Sequence, residues 1–240
     1  MTIIIFVLII YRIIYLVKLN MITQAVQDYL KIIYKLSTAN KPVSTNAIAD
    51  RLQVSQASVT SMIKKLSELK LIEHKPYYGV QLNSTGRKIA LEIIRHHRLL
   101  ELYLSEALGF SWDRVHEEAE KLEHHISEEF EEKMAEFLGH PAFDPHGAPI
   151  PRKDGTIEEE ALIVMTEAEA GETVRVRRVS DSDPEMLRYL GEIGIYPEIE
   201  VEILRRAPFG GALHVRVGEV DHHLGEGLTN NIWVAAEGPS

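Results

Sequence analysis

Cysteine is absent from all 240 residues, which excludes a disulfide framework, thiolate zinc sites, iron–sulfur clusters and cysteine nucleophiles. The absence fits a reducing cytoplasm, where we expect the protein to act. Glycine and proline number only 15 and 10, too few for a collagen-like or low-complexity chain. The opening does not read as a signal peptide. No basic stretch precedes its apolar run and no small-residue cleavage site follows it.

The composition that remains, 45% hydrophobic and 26% charged, belongs to a globular protein. The length suits one large or two to three small domains, each with its own core. A net charge of −10 argues at first against nucleic acid, but the charge is divided along the chain. Residues 1–20 carry 2 basic and no acidic groups; residues 21–95 carry 11 basic against 5 acidic, a net of +6. Residues 96–140 carry 4 against 12, and residues 141–240 carry 9 against 19. A basic front and an acidic middle suggest separate tasks, polyanion contact and cation binding.

Residues 2–17 are almost all Ile, Val, Leu, Phe and Tyr, interrupted by Arg12. A membrane anchor would account for such a run, and so would a translation start assigned too early. We favour the second, with Met21 as the functional start, because a basic helical domain begins directly after it. A membrane is then a partner only if residues 1–20 are a real anchor.

In residues 24–37, Val26, Tyr29, Leu30, Ile33, Tyr34 and Leu36 recur at helical spacing. Pro42 breaks the chain, and Ser44 is an expected N-cap for a short helix, Thr45–Leu52. A tight turn at Val54-Ser55 leads into a third helix, Gln56–Leu69. Short strands at Leu71–Lys75 and Gly79–Leu82 read as a hairpin. The pattern then predicts two long helices, Arg87–Leu108 and Trp112–Leu138, followed by a Pro/Gly linker. Beyond it, Thr173–Val179, Glu200–Leu204, His214–Val217 and Ile232–Ala235 are short strands around one helix, Pro184–Glu192, consistent with a small barrel. The expected organisation is an apolar extension (1–20), a DNA-binding domain (21–86), a helical domain (87–140), the linker (141–156) and the barrel (157–240). The fold class is mainly α with a small β domain.

Three helices and a hairpin have the layout of a winged helix-turn-helix. Its second helix of the pair lies in a major groove of double-stranded DNA. That assigns Ser55, Gln56, Ser58, Thr60 and Ser61 to bases or phosphates and Lys64, Lys65 and Lys75 to phosphates. The bland alternative is that these residues form the solvated face of a short helix. In the acidic middle, His116, Glu120, Glu123 and His124 stand at i, i+4, i+7 and i+8 on one helical face. His97 and Glu101 form an i, i+4 pair on the preceding helix. Two such helices facing each other can build a metal site from nitrogen and oxygen without sulfur, suiting Mn(II), Fe(II), Co(II) or Zn(II). Here the bland alternative is a glutamate-rich solvated surface. Adjacent helical residues point about 100° apart, so His125 and His96 are expected outside the site, beside His124 and His97. His222-His223 is expected on the barrel surface.

In the order helix-turn-helix, wing, ligand-bearing helices, linker and barrel, the chain resembles the diphtheria toxin repressor family of metal-dependent regulators. The resemblance runs from Met21 to the C-terminus and is carried by 27-QDYLKIIYKL-36, 95-RHHRLLE-101, 116-HEEAEKLEHHIS-127 and 144-DPHGAPIP-151. It implies a symmetric homodimer on an operator and an SH3-like C-terminal barrel. It also implies a primary metal held by Asp28, Glu120, Glu123 and His124. An ancillary site would comprise His97, Glu101 and His116, with barrel carboxylates such as Asp183 or Glu185. Iron-responsive members carry methionine and cysteine where this chain has Asp28 and Glu120. Harder oxygen ligands favour manganese(II), so the resemblance implies a manganese-activated repressor of metal-uptake genes, with iron(II) as the rival effector. The small manganese-responsive members carry a glutamate where this chain has Lys31, so a primary and an ancillary site are expected rather than their two-ion cluster. Leu102, Leu104, Leu108, Phe110, Trp112 and Val115 are candidates for the dimer interface. A metallo-hydrolase using Glu117 or Glu118 as base is the rival from another class. It has no need of a basic helix-turn-helix, so we expect no enzyme.

Overall fold

The computed structural model describes residues 22–37, 41–75, 78–158 and 160–236. The apolar run, the expected start at Met21 and the wing residues Pro76 and Tyr77 lie outside the described residues. The chain divides into two compact units, one ending at Ile94 and the other beginning at Arg95.

The first unit comprises α1 (Gln24–Leu36), α2 (Thr45–Leu52), α3 (Gln56–Glu68) and the antiparallel hairpin of β1 (Ile72–Lys75) and β2 (Gly79–Leu82). The apolar stripe of α1 puts Val26, Leu30 and Ile33 into a core with Ile48, Val59, Leu66 and Val80. Both short helices are capped as their sequences demand. The side chain of Ser44 accepts from the Ala47 amide, and that of Ser55 accepts from the Ser58 amide. Gln53 closes α2 in the left-handed region, φ 54°, which folds the chain sharply into α3. The hairpin is fastened to the unit by a bridge between Val80 and Val43. Gly79, φ 111°, permits this approach, since a Cβ there would stand 2.4 Å from the Val43 carbonyl oxygen.

The helix α4 (Ser84–Glu106) starts in the first unit and enters the second, which continues with α5 (Val115–Leu122) and α6 (Glu128–Phe137). The expected single helix Trp112–Leu138 is therefore two. Glu123 ends α5, and Ser127 is extended (φ −87°, ψ 158°) with its side chain accepting from the Phe130 amide. A serine cap inside a glutamate-rich run restarts the helix on a new axis. Leu99, Leu100, Leu104, Val115, Ala119, Met134 and Ala135 pack between these helices.

The rest of the second unit is a six-stranded antiparallel sheet in the order β3-β8-β4-β5-β6-β7. Its strands are β3 (Ile163–Val164), β4 (Thr173–Val179), β5 (Glu200–Arg206), β6 (Leu213–Val217), β7 (Val220–Leu224) and β8 (Ile232–Ala236). The helix α7 (Pro184–Glu192) begins with proline in its first turn and buries Leu187 and Leu190 against Val174, Ile203 and Val215; α8 (Glu226–Thr229) precedes β8. Most of the expected dimer residues belong to this unit's own interior. Leu102, Leu104 and Val115 are buried, while Trp112 and Phe110 pack against its cores. Leu108 stays exposed, as do Leu122, Phe130 and Phe137. Among the described residues, no helix is long and apolar enough to cross a membrane.

Leu30 has no exposed surface and sits within the core of the first unit. Leu30→Ala is expected to cost the first unit about 2–5 kcal/mol, read as a lower urea midpoint.

Candidate metal centre and nucleic-acid interface

On α4, His97 and Glu101 are one turn apart and both buried. His97 Nε2 lies 3.0 Å from Glu101 Oε1 and 3.0 Å from His116 Nδ1 on α5. His116 Nδ1 is in turn 3.0 Å from Glu101 Oε1 and 3.3 Å from Asp181 Oδ2, just after β4. Four side chains from two helices and the sheet domain thus converge, their ligand atoms within 4.8 Å of one another. The other nitrogen of His97, Nδ1, donates to Glu123 Oε2 at 2.6 Å and is 3.9 Å from Glu120 Oε1. His124 Nε2 stands 3.2 Å from Glu123 Oε1.

A third group shares Glu101. Glu101, Asp144 and His146 also hold their ligand atoms within 4.8 Å of one another, and all three are buried. Asp144 Oδ1 accepts from the amides of His146 and Ala148, while Arg98 Nε is 3.6 Å from Oδ2. His146 Nε2 donates to the Trp112 carbonyl at 2.8 Å, and its ring stacks on that of Trp112. Its other nitrogen, Nδ1, lies 3.9 Å from Glu101 Oε1. A ring oriented through one nitrogen by a backbone carbonyl presents the other as a ligand.

Charge balance governs these groups. Burial raises the Glu101 carboxyl, but the charge of His97 and hydrogen bonds from His116 and His97 hold it well below the ordinary range. Burial lowers His116, yet hydrogen bonds to Asp181 and Glu101 push it up to about 10. Asp144 goes the other way, raised to about 6 by burial and by the Glu101 charge.

The residues fit a divalent cation. Glu101 Oε2 and His146 Nδ1 are buried with no hydrogen-bond partner among the described residues, an arrangement that costs free energy unless something binds there. The donors are nitrogen and oxygen only, as a manganese-class ion requires.

His97, Glu101 and His116 therefore come together as expected, and Glu120 and Glu123 gather on the far side of the His97 ring. Asp183 and Glu185 do not join them. Asp183 is exposed and spends its carboxylate capping α7, accepting from the Glu185 and Met186 amides, and Glu185 is exposed in the same turn. Asp181, two residues earlier, is the sheet-domain carboxylate that reaches His116. Sequence reasoning passes over Asp181, Asp144 and His146; the available signal was an Asp-x-His pair inside the proline-rich segment. Asp28 is half-buried on α1 of the first unit.

On α3, Ser55, Gln56, Ser58, Thr60, Ser61 and Lys64 are exposed, Lys65 is half-buried, and Lys75 is exposed on β1. Three hydroxyls are already engaged: Ser55 and Ser58 share a 2.9 Å hydrogen bond, and Thr60 donates to the Gln56 carbonyl.

Residues 21–80 match the N-terminal DNA binding domain of iron dependent repressors, and residues 83–152 match the metal binding and dimerisation domain of the same family. Residues 163–236 match the FeoA domain. The diphtheria toxin repressor of Corynebacterium jeikeium is 30% identical over 196 residues, 80% of this chain and 81% of that protein. The chain belongs to the diphtheria toxin repressor family of metal-dependent transcriptional regulators. The iron-dependent repressor IdeR of Mycobacterium tuberculosis is 28% identical over 215 residues, covering 83% of this chain and 92% of its own. Among solved structures, a manganese-dependent transcriptional repressor in complex with manganese is 38% identical with a TM-score of 0.82, covering 88% of this chain and 99% of that one. ScaR with bound cadmium is 32% identical with a TM-score of 0.75, over 87% and 98%.

A metal needs the lone pair that a proton occupies on His116. With that imidazole held up to about 10, it is protonated in the metal-free protein at neutral pH. Binding of Mn(II) at pH 7 is therefore expected to release about one proton from it, and affinity should climb as pH rises. Calorimetry in two buffers of different ionisation enthalpy measures the release, and His116→Asn should abolish that share.

Proposed function

We propose that this regulator is a manganese(II)-activated repressor of metal-uptake genes that binds its operator as a homodimer. The observation that carries the reading is the sulfur-free convergence of the buried His97 and Glu101 with the half-buried His116 and Asp181. It is furnished with orphaned ligand atoms and fed by two helices and the sheet domain. Glu123 and Glu120 extend it across the His97 ring. Bound there, the cation would supply positive charge to a set of carboxylates that otherwise repel one another.

The chain's own groups do the rest. His97 orients Glu101 through one nitrogen and Glu123 through the other. His116 links Glu101 to Asp181. By the family pattern alone, Asp28 on α1 would join Glu120, Glu123 and His124 in the primary site, which would tie the DNA-binding helices to the sensing helices. Metal and DNA then favour the same conformation, and each must raise affinity for the other by the same factor. The exposed face of α3 meets the groove, and symmetric dimers match successive major grooves. The exposed Leu122, Phe130 and Phe137 supply apolar surface for the partner copy in place of the buried leucines. Iron(II) is the second reading, favoured by the names of the mycobacterial and corynebacterial relatives; Asp28 and Glu120 argue for manganese.

DNA binding by residues 21–240 to the region upstream of the gene, titrated with Mn(II), Fe(II) and chelator, tests the reading. Tight binding is expected only with metal and strongest with Mn(II). Binding indifferent to chelator would leave the histidine–carboxylate cluster without a regulatory role. Asp28→Met and Glu120→Cys should shift preference toward iron(II), and an unchanged preference in both would end the hard-ligand argument. For the DNA face, Lys64→Ala should weaken binding at all sequences alike and reduce the salt slope by about 1.

A further inference from the structure

His96 stands beside His97 in the chain, is buried like it, and has different partners. Its Nδ1 lies 3.1 Å from the Glu123 carbonyl oxygen and its Nε2 lies 3.1 Å from Glu131 Oε2. Both partners only accept. A carbonyl oxygen has no proton to give, and Glu131 is held ionised, down to about 2: burial opposes this, but hydrogen bonds from His96 and Arg95 win. Each ring nitrogen thus faces an acceptor, one on either side of the turn.

The placement of the two acceptors is what gives the contact meaning. Glu123 closes α5, where the last carbonyls have no helical amide to meet and a side-chain donor can take its place. Glu131 lies in the first turn of α6. Between them runs the turn that contains both Glu123 and His124. Arg95 braces the same carboxylate, donating to Glu131 Oε1 at 2.5 Å and to the Pro151 carbonyl at 2.9 Å.

We propose that His96 is a positioning residue for the metal centre. By fastening the end of α5 to the start of α6, it holds Glu123 and His124 in ligand geometry before an ion arrives. The inference rests on the metal-responsive reading above and deepens it. Without His96, the Glu123 carbonyl loses its buried donor and the turn must find a new arrangement. Each binding event would then have to order its own ligands.

The test uses the chain with Mn(II) alone, in three variants: His96→Gln, Glu131→Gln and Met134→Ala. Met134 is a buried core residue of α6 whose thioether takes no part in the clamp's hydrogen bonds, so its loss reports core stability. The first two variants are expected to bind Mn(II) about 10–100-fold more weakly, with faster hydrogen exchange at amides 122–127 of the metal-free protein. Met134→Ala should melt at least as early yet keep its Mn(II) affinity. Wild-type-like affinity in both clamp variants would overturn the proposal and leave the functional reading standing. Affinity that falls in step with melting temperature in all three would also overturn it, reducing His96 to a structural contact. A wild-type chain that binds no Mn(II) would remove the functional reading and this inference together.

Discussion

Glu101 is ionised and has none of its surface in water. A carboxylate in that position is tolerated only while positive charge and hydrogen-bond donors surround it. Much of the second unit can be read as the answer to that requirement. His97 comes from the same helix, His116 from the next, and His146 from the proline-rich segment. The imidazoles that neutralise Glu101 then need acceptors of their own, which brings in Glu123, Asp181 and the Trp112 carbonyl. One buried charge thereby recruits groups from α4, α5, the segment after α6 and the loop after β4.

The acidic charge of the two C-terminal segments is consequently of two kinds. In the sheet domain it is largely paired across strands at the surface: Arg175 with Glu200, and Arg216 with both Glu202 and Asp221. Such exposed pairs contribute little to stability. In the helical part the carboxylates Glu101, Glu123, Glu131 and Asp144 are buried. Histidines, Arg95, Arg98 and, for Asp144, two backbone amides compensate them. Acidic residues are thus solvated and paired in one place and buried together in the other.

The local structure of the DNA-binding unit was legible because its signals are short-range. Ser44 and Ser55 cap the helices they precede, and the apolar spacing of α1 is undiluted. The break between α5 and α6 was hidden, because Glu128–Glu132 suits a helix whether or not Ser127 begins it. Spacing alone made a pair of His97 and Glu101 and put His116 on the facing helix; joining the three rested on the family resemblance. Asp181 did not, since the loop after β4 can be placed against α5 only once the sheet is assembled. Asp144 and His146 were obscured by their prolines and glycines, which mark a connection and conceal that it is buried. His96 was discounted for its neighbour, although a residue on the other side of a ligand helix is well placed to support what the ligand touches.

The ring of Trp112 stacks on His146 with centroids 5.8 Å apart and leans on Tyr196 at 4.7 Å. The chain has only two tryptophans, and the other, Trp233, lies on β8 beneath Arg178. One of its two indoles is therefore built into the wall of the carboxylate nest, sandwiched between an imidazole and a phenol from the sheet domain. The protein carries its own optical probe of that nest, with no label to attach and a single other indole as background.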